Sequence, residues 1–255
     1  MGSRTDMLET AIEAARRAGR LLLEASRGEI RVDVRTRRDV KLEMDRRADE
    51  IIVKTILAAH PDHAVLTEER GRTGGESEWL WVIDPLDGTY NYSRRIPVWC
   101  VSIGLLRNGE ESLGVIYDPI GDELYAAEEG QGATVNGERT AVSDTAALED
   151  ATVCFSSSPA ENDLARTMAA AERLAVNAGK VRGMGAAASH LAYVAGGRAD
   201  AFYDFGAKLW DVAAGIALVR EAGGAVTTRK RDEFALDICV SNGHFHDALL
   251  REIGW

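Results

Sequence analysis

The stretch WVIDPLDGTYNY, Trp81 to Tyr92, decides how the rest of the chain is read. Leu80 to Ile83 form an apolar run that predicts a buried strand. The strand delivers Asp84 to a sheet end, Pro85 stiffens the exit, and Asp87 comes round on the same side of the turn. Two neighbouring carboxylates repel unless something positive sits between them. Hard cations such as Mg²⁺ take oxygen ligands, often carboxylates together with substrate phosphate. Gly88 and Thr89 then read as the first turn of a helix, whose unpaired N–H groups favour an anion. A capping turn, with Asp87 as N-cap of a helix beginning at Gly88, accounts for the same residues without chemistry.

Two further acidic groups favour a metal. In LTEERG, Glu68 and Glu69 stand at another strand end, and a strand adjacent to the first would bring Glu68 beside Asp84. Trp210-Asp211 opens the apolar run VAAGIALV, where Asp211 is either a helix cap or an acid completing a metal cage. Asp122, Glu123, Glu128 and Glu129 read as exposed hairpin charges. His60 and His63 flank a turn, and no HExxH pattern occurs, which argues against zinc. GMGAAASH lacks the flanking glycines of a serine-hydrolase elbow at Ser189.

The 255 residues suit one large domain or two smaller ones sharing a core, and 45% apolar residues argue against disorder. A net charge of −11 makes nucleic acid and anionic membrane poor partners, although metals would permit a phosphorylated small molecule. Three scattered cysteines, Cys100, Cys154 and Cys239, read as buried reduced thiols of a cytoplasmic protein. Neither a signal peptide nor a membrane-spanning apolar run is expected.

Apolar spacing predicts helices over 6–25 and 45–59. EIRVDVRTRRDV between them is too charged for a core element and reads as a loop or exposed hairpin, and GRTGGESE reads as a polar glycine loop. Short strands with turn signals from about 98 to 140 predict an antiparallel meander. Strands near 151–156, 180–182, 199–203, 224–228 and 237–241 are set among helices near 161–178, 185–196, 210–222 and 244–253. The expected fold class is α+β. An N-terminal part, 1–145, has a mostly antiparallel sheet with helices, and a C-terminal α/β part, 146–255, shares an interface with it.

Four blocks in order, DVKLEMD (39–45), TEERG (67–71), WVIDPLDGTYNY (81–92) and WDVAAGIALVREAGGAV (210–226), resemble the inositol monophosphatase family of metal-dependent, lithium-sensitive sugar phosphatases. RGMGAAASHLAYVAGGRADAFYD (182–204) matches more weakly. The resemblance implies a layered αβαβα sandwich, a homodimer, and two or three Mg²⁺ per subunit. Glu68, Asp84 and the Leu86 carbonyl are implied to hold one cation, and Asp84, Asp87 and Asp211 another. Gly88 and Thr89 amides are implied to hold the phosphate, and Asp45 to hydrogen-bond the Thr89 hydroxyl. Glu68 and Thr89 are implied to orient a metal-activated water. Asp204 and Ala187 lie where the family contacts the sugar, and the RTRRDV segment where a mobile loop completes the site.

The implied activity is hydrolysis of an inositol or sugar phosphate, inositol 1-phosphate first. Fructose 1,6-bisphosphate is the alternative. Tyr90-Asn91-Tyr92 leans away from a bisphosphate nucleotidase and a histidinol phosphatase. Ala186 in place of a hydroxyl residue and Asp204 in place of a glutamate are departures beside the sugar. The complete acid set disfavours a relative that keeps the fold and loses catalysis.

Overall fold

The computed structural model describes residues 4–35, 40–156 and 160–255. Helices α1 (Arg4–Ser26) and α2 (Glu43–Ala59) pack together, close to their expected ranges. Between them β1 (Val32–Arg35) and β2 (Val40–Leu42) pair antiparallel, the hairpin form of the charged segment. Residues 36–39, the middle of the RTRRDV segment, lie outside the described residues.

The first sheet contains β3 (Ala64–Thr67), β4 (Gly71–Thr73), β5 (Trp79–Asp87), β6 (Cys100–Arg107), β7 (Glu110–Asp118), β8 (Glu123–Glu128), β9 (Gly132–Val135) and β10 (Glu138–Thr140). Its order is β10-β9-β8-β7-β6-β5-β3-β4. The expected meander from β6 to β10 is antiparallel throughout, whereas β3 and β5 are parallel. The glycine loop GRTGGESE departs from its reading. Its first residues form the edge strand β4, because Gly71 at φ +67° supplies the tight reversal after β3.

Both faces of β5 are covered, so its apolar run is continuous. Trp81 and Ile83 face the α1–α2 layer with Leu22, Ile52 and Ile56, while Val82 faces the other side with Leu66 and Ala213.

The second sheet contains β11 (Thr152–Phe155), β12 (Lys180–Arg182), β13 (Ala201–Lys208), β14 (Ala225–Lys230) and β15 (Ala235–Ser241), in the order β12-β11-β13-β15-β14. Helix α5 (Ala187–Ala195) and α6 (Leu209–Glu221) contact strands of both sheets, and α4 (Glu161–Asn177) and α7 (His246–Ile253) cover the outer face. The layers run α1/α2, first sheet, α5/α6, second sheet, α4/α7, the expected αβαβα sandwich. The C-terminal sheet is mixed. β11 pairs parallel with β12 and β13, but β15 pairs antiparallel with β13 and β14, since only a short turn joins β14 to β15.

Helix α6 is apolar on all sides because it is enclosed between sheets. Gly104 and Gly114 stand opposite one another on β6 and β7. Together they make a flat seat for Ala213 and Ala214. A Cβ on Gly114 would lie 2.1 Å from the Ala214 carbonyl oxygen, and one on Gly104 3.0 Å from the Ala213 Cβ. This close approach sets the height of Asp211 over the first sheet. Among the described residues no helix is long and apolar enough to cross a membrane.

Candidate active site

Strand β5 runs through both aspartates of the opening stretch instead of ending at Asp84. Asp84 pairs with Ser102 and Asp87 with Cys100, so β5 advances one residue more than β6. In a regular strand residues three apart face opposite sides. The bulge at Pro85-Leu86 returns Asp87 to the side of Asp84. The Leu86 N–H donates to Asp84 Oδ1 at 2.9 Å and closes the bulge.

Parallel pairing of Thr67 with Ile83 sets Glu68 beside Asp84, and the Glu68 N–H donates to the Ile83 carbonyl at 3.2 Å. A buried residue of α2 holds this turn. Asp49, 0% exposed, forms an ion pair with Arg70, whose N–H donates to Thr67 Oγ1 at 3.0 Å.

Asp87 does not cap the helix that follows it. Gly88 is the N-cap of α3 (Thr89–Ser93), in the left-handed region at φ 89°. A Cβ there would meet the Val98 carbonyl oxygen at 2.8 Å. The Asp87 carboxylate instead receives the N-terminus of α5, a hundred residues away in sequence. Ala187 N–H donates to Oδ1 at 3.2 Å, and Ala188 and Ser189 N–H donate to Oδ2 at 2.8 and 3.4 Å. Asp211 stands in the first turn of α6, and its Oδ2 accepts the Lys208 N–H at 3.2 Å. It therefore steadies its own helix start while its carboxylate lines the cavity.

One cavity of about 260 Å³ gathers Glu68, Asp84, Leu86, Asp87, Gly88, Thr89, Ala187, Asp204 and Asp211. Of the expected site residues only Asp45 is outside its lining. Asp45 is buried at the start of α2, where Oδ2 accepts the Leu42 N–H at 2.6 Å. The Thr89 hydroxyl donates to the Leu86 carbonyl at 2.9 Å. Leu86 stands only three residues before Thr89, so this partner is local to the turn.

Asn91 has a structural role. It is 6% exposed, and its side-chain amide donates to the Val98 and Met184 carbonyls at 2.8 and 2.7 Å. It ties α3 to the loop before α5, so the substrate hint drawn from it has a structural explanation. Ser156, Gly185, Gly206, Lys208 and Tyr90 also line the cavity and were not anticipated. Ser156 was findable, because it ends the apolar strand TVCF as Asp204 ends a run in AFYD.

Burial raises the Asp84 carboxyl well above its ordinary range, and Glu68, Asp87 and Asp211 raise it further by repulsion. Asp87 is raised by burial against the lowering effect of the three α5 amides. Asp211 is raised by burial and then by Asp87. Asp204, 3% exposed, is raised by burial and then by Asp211, Asp163 and Asp237. Such a set needs protons or cations among its members. Every donor is a hard oxygen, and Lys208 is the one cationic side chain among the described lining residues, so the residues fit divalent cations of the Mg²⁺ type. Among the described residues no three His, Cys, Asp or Glu side chains already form a converged ligand group. The fit rests on donor type, burial and mutual repulsion rather than on a preformed cage.

Buried carboxylates are gathered between two sheets beside a glycine turn that opens a helix, a donor set of the type that suits divalent cations. The chain belongs to the inositol monophosphatase family, whose model matches residues 3–253. It is 43% identical over 218 residues to Nus factor SuhB of Xylella fastidiosa, covering 84% of this chain and 79% of that protein. It is 36% identical to the fructose-1,6-bisphosphatase/inositol-1-monophosphatase of Thermotoga maritima, covering 97% of this chain and 96% of the relative. The solved structure of an inositol monophosphatase from Anabaena (Nostoc) superposes with a TM-score of 0.88 at 36% identity, over 98% of this chain and 96% of that one. The family and these relatives make the chain a phosphatase of a generally metal-dependent kind.

Proposed function

We propose that the protein is a Mg²⁺-dependent phosphomonoesterase that hydrolyses an inositol or sugar phosphate, with inositol 1-phosphate its leading substrate. The observation that carries this reading is the convergence of Glu68, Asp84, Asp87 and Asp211 with Gly88, Thr89 and Asp204 on one cavity. Glu68, Asp84 and the Leu86 carbonyl would hold one cation, and Asp84, Asp87 and Asp211 a second, with two or three per subunit. When bound, the cations offset the carboxylate repulsion, acidify a water and stabilise charge developing on the phosphoryl oxygens.

The chain's own residues orient the reactants. Gly88 and Thr89 amides hold the phosphate at the start of α3. Because Thr89 Oγ1 donates to the Leu86 carbonyl, its lone pairs are left to accept from the attacking water, whose other proton faces Glu68. Asp45, at the start of α2, is the residue that the family resemblance places against the Thr89 hydroxyl. Asp204 and the Ala187 edge of α5 face the polyol. In-line attack forms the new P–O bond as the ester P–O bond breaks, releasing alcohol and phosphate. The family resemblance further supports a lithium-sensitive homodimer, and the net charge of −11 and the scattered cysteines support a cytoplasmic protein whose partners are neither nucleic acid nor membrane.

Lys208 favours a second reading. A lone cation at the lining of an otherwise acidic cavity suits a second phosphate, as in fructose 1,6-bisphosphate, which the Thermotoga relative's name includes. Phosphate release from inositol 1-phosphate, fructose 1,6-bisphosphate and adenosine 3′,5′-bisphosphate, with Mg²⁺ and with EDTA, tests both. Release from the first or second, abolished by EDTA, is expected. Undiminished release in EDTA, or a nucleotide preferred by orders of magnitude, would refute the proposal.

A further inference from the structure

Ser156 follows the last residue of β11 and lines the cavity. Phe155 pairs with Tyr203 in the parallel β11–β13 ladder, and the Ser156 N–H donates to the Tyr203 carbonyl at 3.4 Å. Ser156 therefore stands beside Asp204, where β11 ends and β13 runs on. Its hydroxyl has a buried neighbour, His190 of α5, with Nδ1 at 3.2 Å and the ring 0% exposed.

The tautomer of His190 follows from its other side. The Met184 N–H points at Nε2 at 3.1 Å. A backbone N–H only donates, so Nε2 carries a lone pair and the ring proton sits on Nδ1. Nδ1–H then donates to Ser156 Oγ, and the Ser156 proton is released toward the cavity. Met184 is itself held by Asn91 through its carbonyl, so one line of hydrogen bonds runs from α3 through Met184 and His190 to Ser156. Asp204 Oδ1, beside Ser156, is buried with no hydrogen-bond partner among the described residues. A donor and an acceptor thus face the same part of the cavity.

We propose that Ser156 is a specificity-determining residue, oriented by His190, which donates to one hydroxyl of a polyol phosphate while Asp204 accepts from an adjacent one. The proposal rests on the phosphatase reading and names its substrate class, a phosphate ester with neighbouring hydroxyls. His190 acts as a positioning residue through Ser156 and touches no substrate.

The test compares kcat/KM for inositol 1-phosphate with that for p-nitrophenyl phosphate, which has no hydroxyl to read, in the Mg²⁺-loaded protein. In Ser156→Ala the ratio of the two is expected to fall about fivefold, the size of one lost neutral hydrogen bond, chiefly through KM. His190→Ala should lower the ratio as Ser156→Ala does. His190→Asn, which keeps an N–H donor near the Nδ1 position, and Ser156→Thr, which keeps the hydroxyl, should restore it. An unchanged ratio in Ser156→Ala, or an equal fall for both esters, would overturn the role of Ser156. A parent protein that releases phosphate from neither ester nor from fructose 1,6-bisphosphate would overturn the phosphatase reading itself, and the Ser156 role with it.

Discussion

Gly114→Ala tests how packing remote from the chemistry holds the site together. The new methyl group would point at the Ala214 carbonyl oxygen from 2.1 Å, about 1 Å inside the closest approach that carbon and oxygen tolerate. The obstacle is backbone within a helix, so no rotamer change removes it. α6 must shift outward, carrying Asp211 in its first turn. Overpacking of this kind costs about 1–3 kcal/mol, and at about 2–4 °C per kcal/mol for a chain of this length the melting temperature should fall by roughly 2–12 °C. A displacement near 1 Å at a catalytic group costs about 100-fold in rate, so kcat/KM with Mg²⁺ should drop by one to two orders of magnitude. Gly104→Ala, whose methyl would meet the Ala213 Cβ at 3.0 Å, supplies a graded control with smaller losses. The measurements are a thermal melt and phosphate release at saturating Mg²⁺. Parental melting and activity in Gly114→Ala, or greater damage from Gly104→Ala, would refute the seating of α6 on the glycine pair.

Asp87→Asn should abolish Mg²⁺-dependent phosphate release and also loosen α5, because an amide keeps one acceptor and turns N–H groups toward the Ala187 amide. Faster hydrogen exchange at Ala188 and Ser189 in the folded variant would report this, and unchanged exchange with full activity would sink both assignments. His190 makes stability depend on pH. Its pKa is pushed down to about 4 by burial, so the unfolded chain takes up a proton that the folded chain refuses. That contribution is complete above the unfolded value of about 6.5 and shrinks as pH falls toward 4, by roughly 3 kcal/mol in all. His190→Asn should lose less stability than the parent between pH 7.5 and pH 5 in urea melts, and identical pH slopes would contradict the burial argument. Asp49→Asn breaks the ion pair that holds the Glu68 turn. It should lower stability by about 1–3 kcal/mol and raise the Mg²⁺ concentration for half-maximal activity, whereas an unaltered Mg²⁺ titration would separate Asp49 from the site.

The fold was legible where burial on one or both faces left a periodic trace. α1, α2 and the meander appear near their expected bounds because their apolar spacing matches one period throughout. β4 was hidden because an edge strand of three exposed or half-exposed residues carries no apolar pattern. The continuation of β5 to Asp87 was hidden because proline usually ends a central strand, and here a bulge accommodates it. At the site, DPLDGT, TEE and WD marked the cavity acids through local spacing. The place of Lys208 at the cavity and the partners of Asn91 were not legible, since each depends on contacts between segments far apart in the chain.

By itself the sequence determined the chemical types available: hard oxygen donors at strand ends, a glycine where only a left-handed turn fits, and enough apolar surface to enclose them. It also carried the family, because those residues are contiguous within short blocks. Only the tertiary structure decided what each carboxylate does. Asp87 is the last residue of a strand and precedes a helix, yet it serves the N-terminus of a different helix, since the bulge turns it toward α5 and away from α3. The reason is physical: a side chain's neighbours in space are set by how layers stack, and the stacking here follows from two glycines that let one helix lie against a sheet.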